Sequence, residues 1–405
     1  VRKKSILLIA MPDSVHTARW ANQITDQGWE IFIYPSNGAE KIHPSLHGVH
    51  GVHGVHGVHG VHGVILVRSL LEWFQYILDN LGLRFMAKLV GLSKRYLEKK
   101  YPNYRVSRLR NTIKKLCPDL IHSMELQSAG YLTLEAKKKF HEKFPPWIVT
   151  NWGSDIFLFG RLQRHKEKIR DVLANCDYYS CECERDVRLA REFGFNKTVL
   201  PVFPNTGGFE LKQIEKVRQE VPTSGRKTIM LKGYQHWAGR ALVGLRALER
   251  CEDILKGFAI VIYSAHPDVE IAAELFTDKT GIPTHILAHG TTHQEMLLLH
   301  AKARVSIGLS ISDAISTSLL EAMVMGAFPI QSCTACADEW VQHGVSGMIV
   351  SPDDPDIVEM AIRTALADDI LVDQAAEINW HVALTRLDGA ILKQKAVNMY
   401  RGILG

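Results

Sequence analysis

At 405 residues the chain is longer than one hydrophobic core needs, and two domains of roughly 200 residues are the default expectation. A composition that is 46% hydrophobic and 22% charged excludes global disorder, and no apolar run approaches the ~20 residues of a membrane-spanning helix. The net charge of +5 is mild, so its uneven spread matters more than its sum.

Ser5 to Ala10 (SILLIA) is a short apolar run that predicts a buried parallel strand. The turn Met11-Pro12-Asp13-Ser14 follows, with Ser14 placed to cap a helix reaching about Gln27. Trp29 to Tyr34 is the next strand. Strand, helix, strand at this spacing predicts a right-handed βαβ unit. His-Gly-Val then recurs six times, bringing His47, His50, His53, His56, His59 and His62 onto a three-residue period. That period lines the histidines along one edge of an extended chain. A metal-binding tract is one reading. A repeat expansion in a loop or edge strand is preferred, because glycine at every third residue gives no rigid ligand geometry.

The segment 70–115 changes character. Between Arg84 and Lys115 eleven Lys and Arg face a single acid, Glu98, and across 70–115 aromatic residues such as Trp73, Phe85, Tyr96 and Tyr101 accompany them. A basic amphipathic stretch with aromatics suits an anionic membrane surface, so peripheral membrane contact is expected through 70–115. Ordinary helices with solvated outer faces are the competing reading. Nucleic acid is not expected, because no recognition motif accompanies the charge. Seven scattered cysteines, and only a short apolar run after Val1-Arg2-Lys3-Lys4, predict reduced thiols and a cytoplasmic protein, on the inner face of the plasma membrane if the basic segment docks there. Cys333-Thr334-Ala335-Cys336 and Cys181-Glu182-Cys183 read as ordinary free thiols.

Further strands are expected at 118–123, 147–150, 178–181 and 198–202, with helices over 160–175 and 184–193. Turn chemistry at Pro204-Asn205-Thr206-Gly207-Gly208-Phe209 opens a boundary that extends to Gly225. The alternation then restarts, with strands at 227–231, 258–263, 284–287, 303–309 and 328–331 and a helix over 293–300. A last helix is expected over about 382–403. The fold class is α/β: two doubly wound Rossmann-like domains facing across a cleft, with ligands at the carboxyl ends of the strands. The first domain spans 1–208, the second 209–381, and the helix of 382–405 packs back on the first.

The richest stretch is Ser310 to Pro352. Asp313 precedes a small, polar run, Ala314 to Ser318, which leads into Leu319-Leu320-Glu321-Ala322-Met323 and a stop at Gly326. A small-residue loop opening a helix presents bare N–H groups and the positive end of the helix dipole, which suits a diphosphate. Lys232 and Arg240, in the loop region after the first strand of the second half, are the nearby cations.

These residues resemble the retaining glycosyltransferases of family 4, which have the GT-B fold. That family carries two acids with seven residues between them, then Ala-Met, a small residue, a strand and an Asp-Gly-x-x-Gly turn. Asp313 and Glu321 have that spacing, and His343-Gly344-Val345-Ser346-Gly347 is similar to the turn. Asn151-Trp152-Gly153-Ser154-Asp155 resembles the family's His-Gly-x-Asp loop, and Pro204 to Phe209 its Pro-Asn-Gly-Val-Asp linker. The resemblance implies that Glu321 bonds the ribose hydroxyls of a nucleotide and that Asp313 touches the donor sugar. It implies that Ser316, Thr317, Ser318 and Leu319 offer N–H groups to the diphosphate, and that Gly290 lies by the base. Three departures stand out: Asp313 replaces a longer Glu, Ala314 to Ser318 lacks the family's glycines and proline, and Tyr234 stands where an Arg is usual.

The function that follows is transfer of a sugar from a nucleoside-diphosphate sugar to a hydroxyl of a glycan or lipid-linked glycan, with retention implied by the resemblance, in surface polysaccharide biosynthesis. A departing diphosphate needs positive potential rather than a proton, and Lys232 or Arg240 with the 316–319 loop supplies it. No Asp-x-Asp pair lies at a strand end, so no metal and no cofactor are expected. Asp353-Asp354-Pro355-Asp356 reads as a solvated helix start. Asp155 and His122 are candidate acceptor-side groups, each with a structural alternative: a loop cap for Asp155 and a satisfied core histidine for His122. His16, Trp152 and Gly153 complete the acceptor side. The alternatives are a nucleotide-sugar epimerase of the same fold, or a non-catalytic scaffold on it.

Overall fold

Short apolar runs buried on both faces make parallel strands, and the computed structural model forms two sheets from them. It describes residues 2–38, 42–46, 49–53, 64–68, 70–101, 103–218, 221–288 and 290–405. The chain divides into one unit of Val1–Gly207 with Lys393–Gly405 and a second of Gly208–Leu392.

In the first unit the strands are β1 (Ser5–Ala10), β2 (Glu30–Pro35), β3 (Val49–His53), β4 (Val64–Arg68), β5 (Leu120–Met124), β6 (Trp147–Thr150), β7 (Tyr178–Ser180) and β8 (Thr198–Val199). They pair in parallel in the order β3-β4-β2-β1-β5-β6-β7-β8. The chain moves outward from β1 and returns beside it as β5, so the strand order reverses between β1 and β5. Leu7, Ile9, Phe32, Ile121, Trp147 and Val149 fill the core. Ser14 caps the helix Val15–Ile24 as expected, accepting the His16 N–H at 3.2 Å. The strand expected over 198–202 stops at Val199, because Pro201 has no N–H to give a ladder.

Part of the His-Gly-Val repeat forms the edge strand β3, paired with β4, and carries His50 and His53. The other repeat histidines, His47, His56, His59 and His62, lie outside the described residues. The basic segment folds as three helices, Leu70–Asn80, Arg84–Lys100 and Tyr104–Leu116. The third turns its apolar side inward: Val106, Leu109 and Ile113 are buried. Its cations have neighbours within the unit, with Arg108 lying 4.9 Å over the Tyr34 ring and Lys114 bonding Glu142 at 2.7 Å.

In the second unit β9 (Thr228–Lys232), β10 (Ala259–Tyr263), β11 (Thr284–Ile286), β12 (Ala303–Gly308), β13 (Phe328–Ser332) and β14 (Met348–Val350) pair in parallel in the order β11-β10-β9-β12-β13-β14. The order reverses between β9 and β12. Ile229, Leu231, Ile260, Ile262, Val305, Ile307 and Ile330 form the core.

The single last helix expected over 382–403 is two helices, Asp369–Arg386 and Gly389–Leu404. The break is made by tertiary bonds. The Leu387 carbonyl accepts the Phe209 N–H at 2.8 Å, and the Gly389 N–H donates to the Phe209 carbonyl at 3.0 Å. The Asp388 carboxylate then caps the new helix, accepting from Ala390 and Ile391 at 3.0 and 3.1 Å. Among the described residues no helix is long and apolar enough to cross a membrane.

Candidate functional site

Open parallel sheets bind ligands where the strand order reverses, at the carboxyl ends of the strands. In the second unit that place lies between β9 and β12. Lys232 ends β9, and Gly233 follows. A Cβ on Gly233 would meet the Ala265 Cα at 2.6 Å, so glycine alone lets the loops after β9 and β10 approach this closely. The Arg240 N–H donates to the Leu309 carbonyl at 3.1 Å and the Ile311 N–H to the Ala238 carbonyl at 2.9 Å, which ties the 233–240 loop to the loop after β12.

That second loop opens the helix Thr317–Met325, which is buried almost throughout. The Lys232 ammonium donates to Ser316 Oγ at 3.3 Å, and Ser316 Oγ lies 2.8 Å from Ser318 Oγ. Thr317 and Ser318 belong to the first turn, whose N–H groups have no acceptor inside the helix, so the positive helix end and the Lys232 charge come together. Leu319 departs from its expected part. Its N–H donates back to the Ser316 carbonyl at 2.9 Å and its side chain is in the core, so it does not present an N–H to a diphosphate. Half-buried Asp313 sits in the loop, its Oδ1 accepting the Ala314 N–H at 3.0 Å.

Glu321 is 7% exposed and lies between two imidazoles, His293 Nδ1 at 3.7 Å and His300 Nε2 at 3.6 Å. Both histidines come from the helix His293–Lys302, seven residues apart and therefore on one face. Their seven-residue spacing is visible in the sequence, where neither histidine is among the candidates. Tyr263 closes the cluster, its ring 6.0 Å from that of His300, and burial pushes its phenol far above the ordinary range. Gly290, at φ +99, makes the turn before this helix, which opens with a Thr292–Glu295 capping box.

The two candidate cations separate. Arg240 Nε is held by Asp353 at 2.6 Å, whereas Lys232 faces Ser316 and the Tyr234 ring at 4.6 Å. Tyr234, at the position where the family has Arg, therefore flanks the remaining cation. Asp354 caps the helix Pro355–Ala367, accepting from Asp356 and Ile357 at 3.0 and 3.3 Å, as a helix start does.

The first unit gathers the acceptor-side candidates unevenly. His16, at the start of its helix, has its ring 5.4 Å from that of half-buried Trp152. Gly153, at φ +90, makes the turn that follows. Asp155 is 7% exposed and serves as the loop cap, accepting the Leu126 and Trp152 N–H groups at 3.1 and 3.2 Å. His122 is not available to an acceptor. It is fully buried, with Nδ1 2.6 Å from the Tyr400 hydroxyl and Nε2 2.6 Å from Thr150 Oγ1, and burial lowers its pKa to about 3. Tyr400 also accepts the Trp20 Nε1–H at 2.8 Å.

The structure adds a residue the sequence reading passed over, Glu125. It sits directly after β5 at φ +100, a backbone region that strains a side-chain-bearing residue. Its carboxylate accepts the Ser128 N–H at 2.8 Å and the Ala129 N–H. Burial, and then the neighbouring charge of Asp155, push its pKa up to about 7, while burial pushes Asp155 up to about 6. Nothing in the sequence around either acid marks this pair, which the fold assembles from the ends of β5 and β6.

Residues 80–178 match the family described as glycosyl transferase 4-like, and residues 235–368 match the glycosyl transferases group 1. Together these matches take more than half of the 405 residues. The chain belongs to the GT-B glycosyltransferases. Solved structures of that fold match along the full length. Sucrose-phosphate synthase from Thermosynechococcus elongatus has a TM-score of 0.67 at 13% identity, over 99% of each chain. The Anabaena HepE protein in complex with UDP-glucose has a TM-score of 0.65 at 14% identity, over 98% of this chain and 99% of that one. An α,α-trehalose-phosphate synthase (UDP-forming) from Burkholderia xenovorans, in complex with glucose-6-phosphate, has a TM-score of 0.67 at 12% identity over all of both chains. At such identities the likeness is one of fold. No curated protein sequence matches the chain significantly.

Proposed function

We propose that this GT-B glycosyltransferase moves a sugar from a nucleoside-diphosphate sugar to a hydroxyl of a glycan or lipid-linked glycan, with retention of configuration, in surface polysaccharide biosynthesis on the cytoplasmic side of a membrane. The observation that carries the reading is the Lys232 ammonium 3.3 Å from Ser316, at the start of the helix that bears Glu321. A diphosphate lying there receives the Lys232 charge and the N–H groups of Thr317 and Ser318. Glu321 accepts from the ribose hydroxyls, Gly290 passes beside the base, and Asp313 meets the sugar. Solved structures of the Anabaena HepE protein with UDP-glucose, and with UDP and glucose, support this class of donor.

Chemically, the C1–O bond to the diphosphate breaks as the acceptor oxygen bonds to C1 on the same face. The acceptor proton passes to the departing phosphate oxygen. The protein's part is to stabilise the negative charge that grows on the diphosphate, which preorganised N–H dipoles and an ammonium do without moving a proton. On this reading Lys232 takes the place of a metal, and turnover keeps its full rate in EDTA. On the acceptor side His16, Trp152 and Gly153 remain the candidates, with Asp155 shaping their loop.

A thermal-shift screen against UDP, GDP, ADP and CMP with their sugars identifies the base, and calorimetry then compares Glu321→Ala with the wild type. Loss of the buried acceptor for two hydroxyls should weaken binding by about 10- to 100-fold, about 1.5–3 kcal/mol. Full nucleotide affinity in Glu321→Ala would place the donor elsewhere.

A further inference from the structure

An amphipathic helix in a folded domain ordinarily turns its apolar stripe toward the core. The helix Arg84–Lys100 does the reverse. Phe85, Leu89, Leu92 and Tyr96 follow the i, i+4, i+7, i+11 spacing of one helix face, and they are 74%, 48%, 51% and 63% exposed. The opposite face is the packed one: Ala87 is 1% exposed, Lys94 is 5% exposed with its ammonium donating to the Gly38 carbonyl at 3.0 Å, and Gly91 lies against the Gln75 side chain. The turn joining this helix to Leu70–Asn80 continues the exposed apolar surface with Leu81 and Leu83, which are 67% and 45% exposed. Among the described residues nothing covers the apolar stripe, while a small-residue face carrying Lys94 is the packed one.

We infer that this outward stripe, with the Leu81–Leu83 turn at its end, is a membrane-docking face that lies in the interface of an anionic bilayer. Charge selects the occupant. Arg84, Lys88 and Lys100 are exposed beside the stripe and would sit at the level of anionic headgroups, while Phe85, Leu89 and Leu92 enter the acyl boundary. Tyr96 and Tyr101 carry apolar rings with polar tips, as interfacial residues do, and the Lys100 ammonium stands 5.7 Å over both rings. A second copy of the chain would bring the same cations face to face, and like charges disfavour that pairing. The helix is too short and too charged to span, so it lies on the membrane. The structure also narrows the basic segment: Tyr104–Leu116 packs its apolar side into the first unit and takes no part in docking. The inference rests on the glycosyltransferase reading only for its setting, which is delivery of the enzyme to a lipid-linked acceptor.

Flotation of the full chain with vesicles of phosphatidylglycerol and phosphatidylcholine tests it. The wild type should float with anionic vesicles, release at high salt, and stay unbound with phosphatidylcholine alone. The triple variant Phe85→Ser/Leu89→Ser/Leu92→Ser should lose at least tenfold in bound fraction, and Lys88→Glu should lose severalfold. Ile271→Ser, an equally exposed change on the helix Pro267–Thr280 of the second unit, should change nothing. Nucleotide affinity of the triple variant serves as the folding control and should match the wild type, so a failed donor-site reading and a failed docking reading give different results. Undiminished flotation of the triple variant would overturn the inference. So would a wild type that ignores vesicles but dimerises through the stripe in sedimentation, with the dimer lost in the triple variant.

Discussion

Glu125 and Asp155 show how a fold changes ordinary side chains. Each carboxylate takes backbone N–H bonds that favour its charge, yet burial outweighs them and both pKa values rise, to about 7 and about 6. The folded chain therefore binds protons that the unfolded chain has released between about pH 4.5 and pH 7, and stability falls as pH rises through that window. His122, lowered to about 3, acts in the opposite sense, since its buried neutral ring gains stability as pH rises toward its unfolded value. A difference measurement separates them. The stability of the wild type minus that of Glu125→Gln, from urea unfolding, should decrease from pH 4.5 to pH 7.5 by up to about 3 kcal/mol, since a pKa unit is about 1.4 kcal/mol. A difference that is flat or rises with pH would show that the pair does not share this environment. The same residues mark a limit of sequence reading. Asp155 was legible as a loop acid, but Glu125 was not, because its burial and its partner come from another strand. His122 reads equally well as an acceptor-side group or a core residue until its two neighbours, Thr150 and Tyr400, are placed.

Elements were most legible where local sequence alone decides them. Ser5–Ala10 and Trp147–Thr150 are unbroken apolar runs between turn residues, and each became a strand at its expected place. The helix Thr317–Met325 likewise announces itself by a polar small-residue start and Gly326 at φ +76. Where a partner distant in sequence decides, the reading failed. Asp369–Arg386 and Gly389–Leu404 looked like one helix because the cause of their break, Phe209, lies far upstream. The break gives a prediction at this scale. Asp388→Ala removes the cap of the final helix, so denaturant unfolding should show a loss of about 1 kcal/mol, with Asp388→Asn recovering most of it. An unchanged midpoint would mean that the Phe209 bonds alone hold the break. Amphipathicity also misled: 70–115 reads as one basic aromatic segment, but only the packing tells that Tyr104–Leu116 faces inward and Arg84–Lys100 outward.

For the molecule as a whole, fold class and family were legible because the strand–helix alternation runs through both halves and the spacing of Asp313 and Glu321 is read locally. The chemistry of the cation was not. Lys232 and Arg240 read alike, and only Asp353, more than a hundred residues away, distinguishes them by engaging Arg240 at 2.6 Å. In the proposed function, diphosphate binding therefore depends on Lys232 at the start of the Glu321 helix. The most direct test is calorimetric titration of wild type and Lys232→Ala with the nucleoside diphosphate the chain binds best, and with its nucleoside. Loss of a charge-assisted bond should weaken diphosphate binding by about 1.5–3 kcal/mol, roughly 10- to 100-fold, and leave the nucleoside unaffected. Equal diphosphate affinity in the two proteins, or an equal loss for nucleoside and diphosphate, would contradict it.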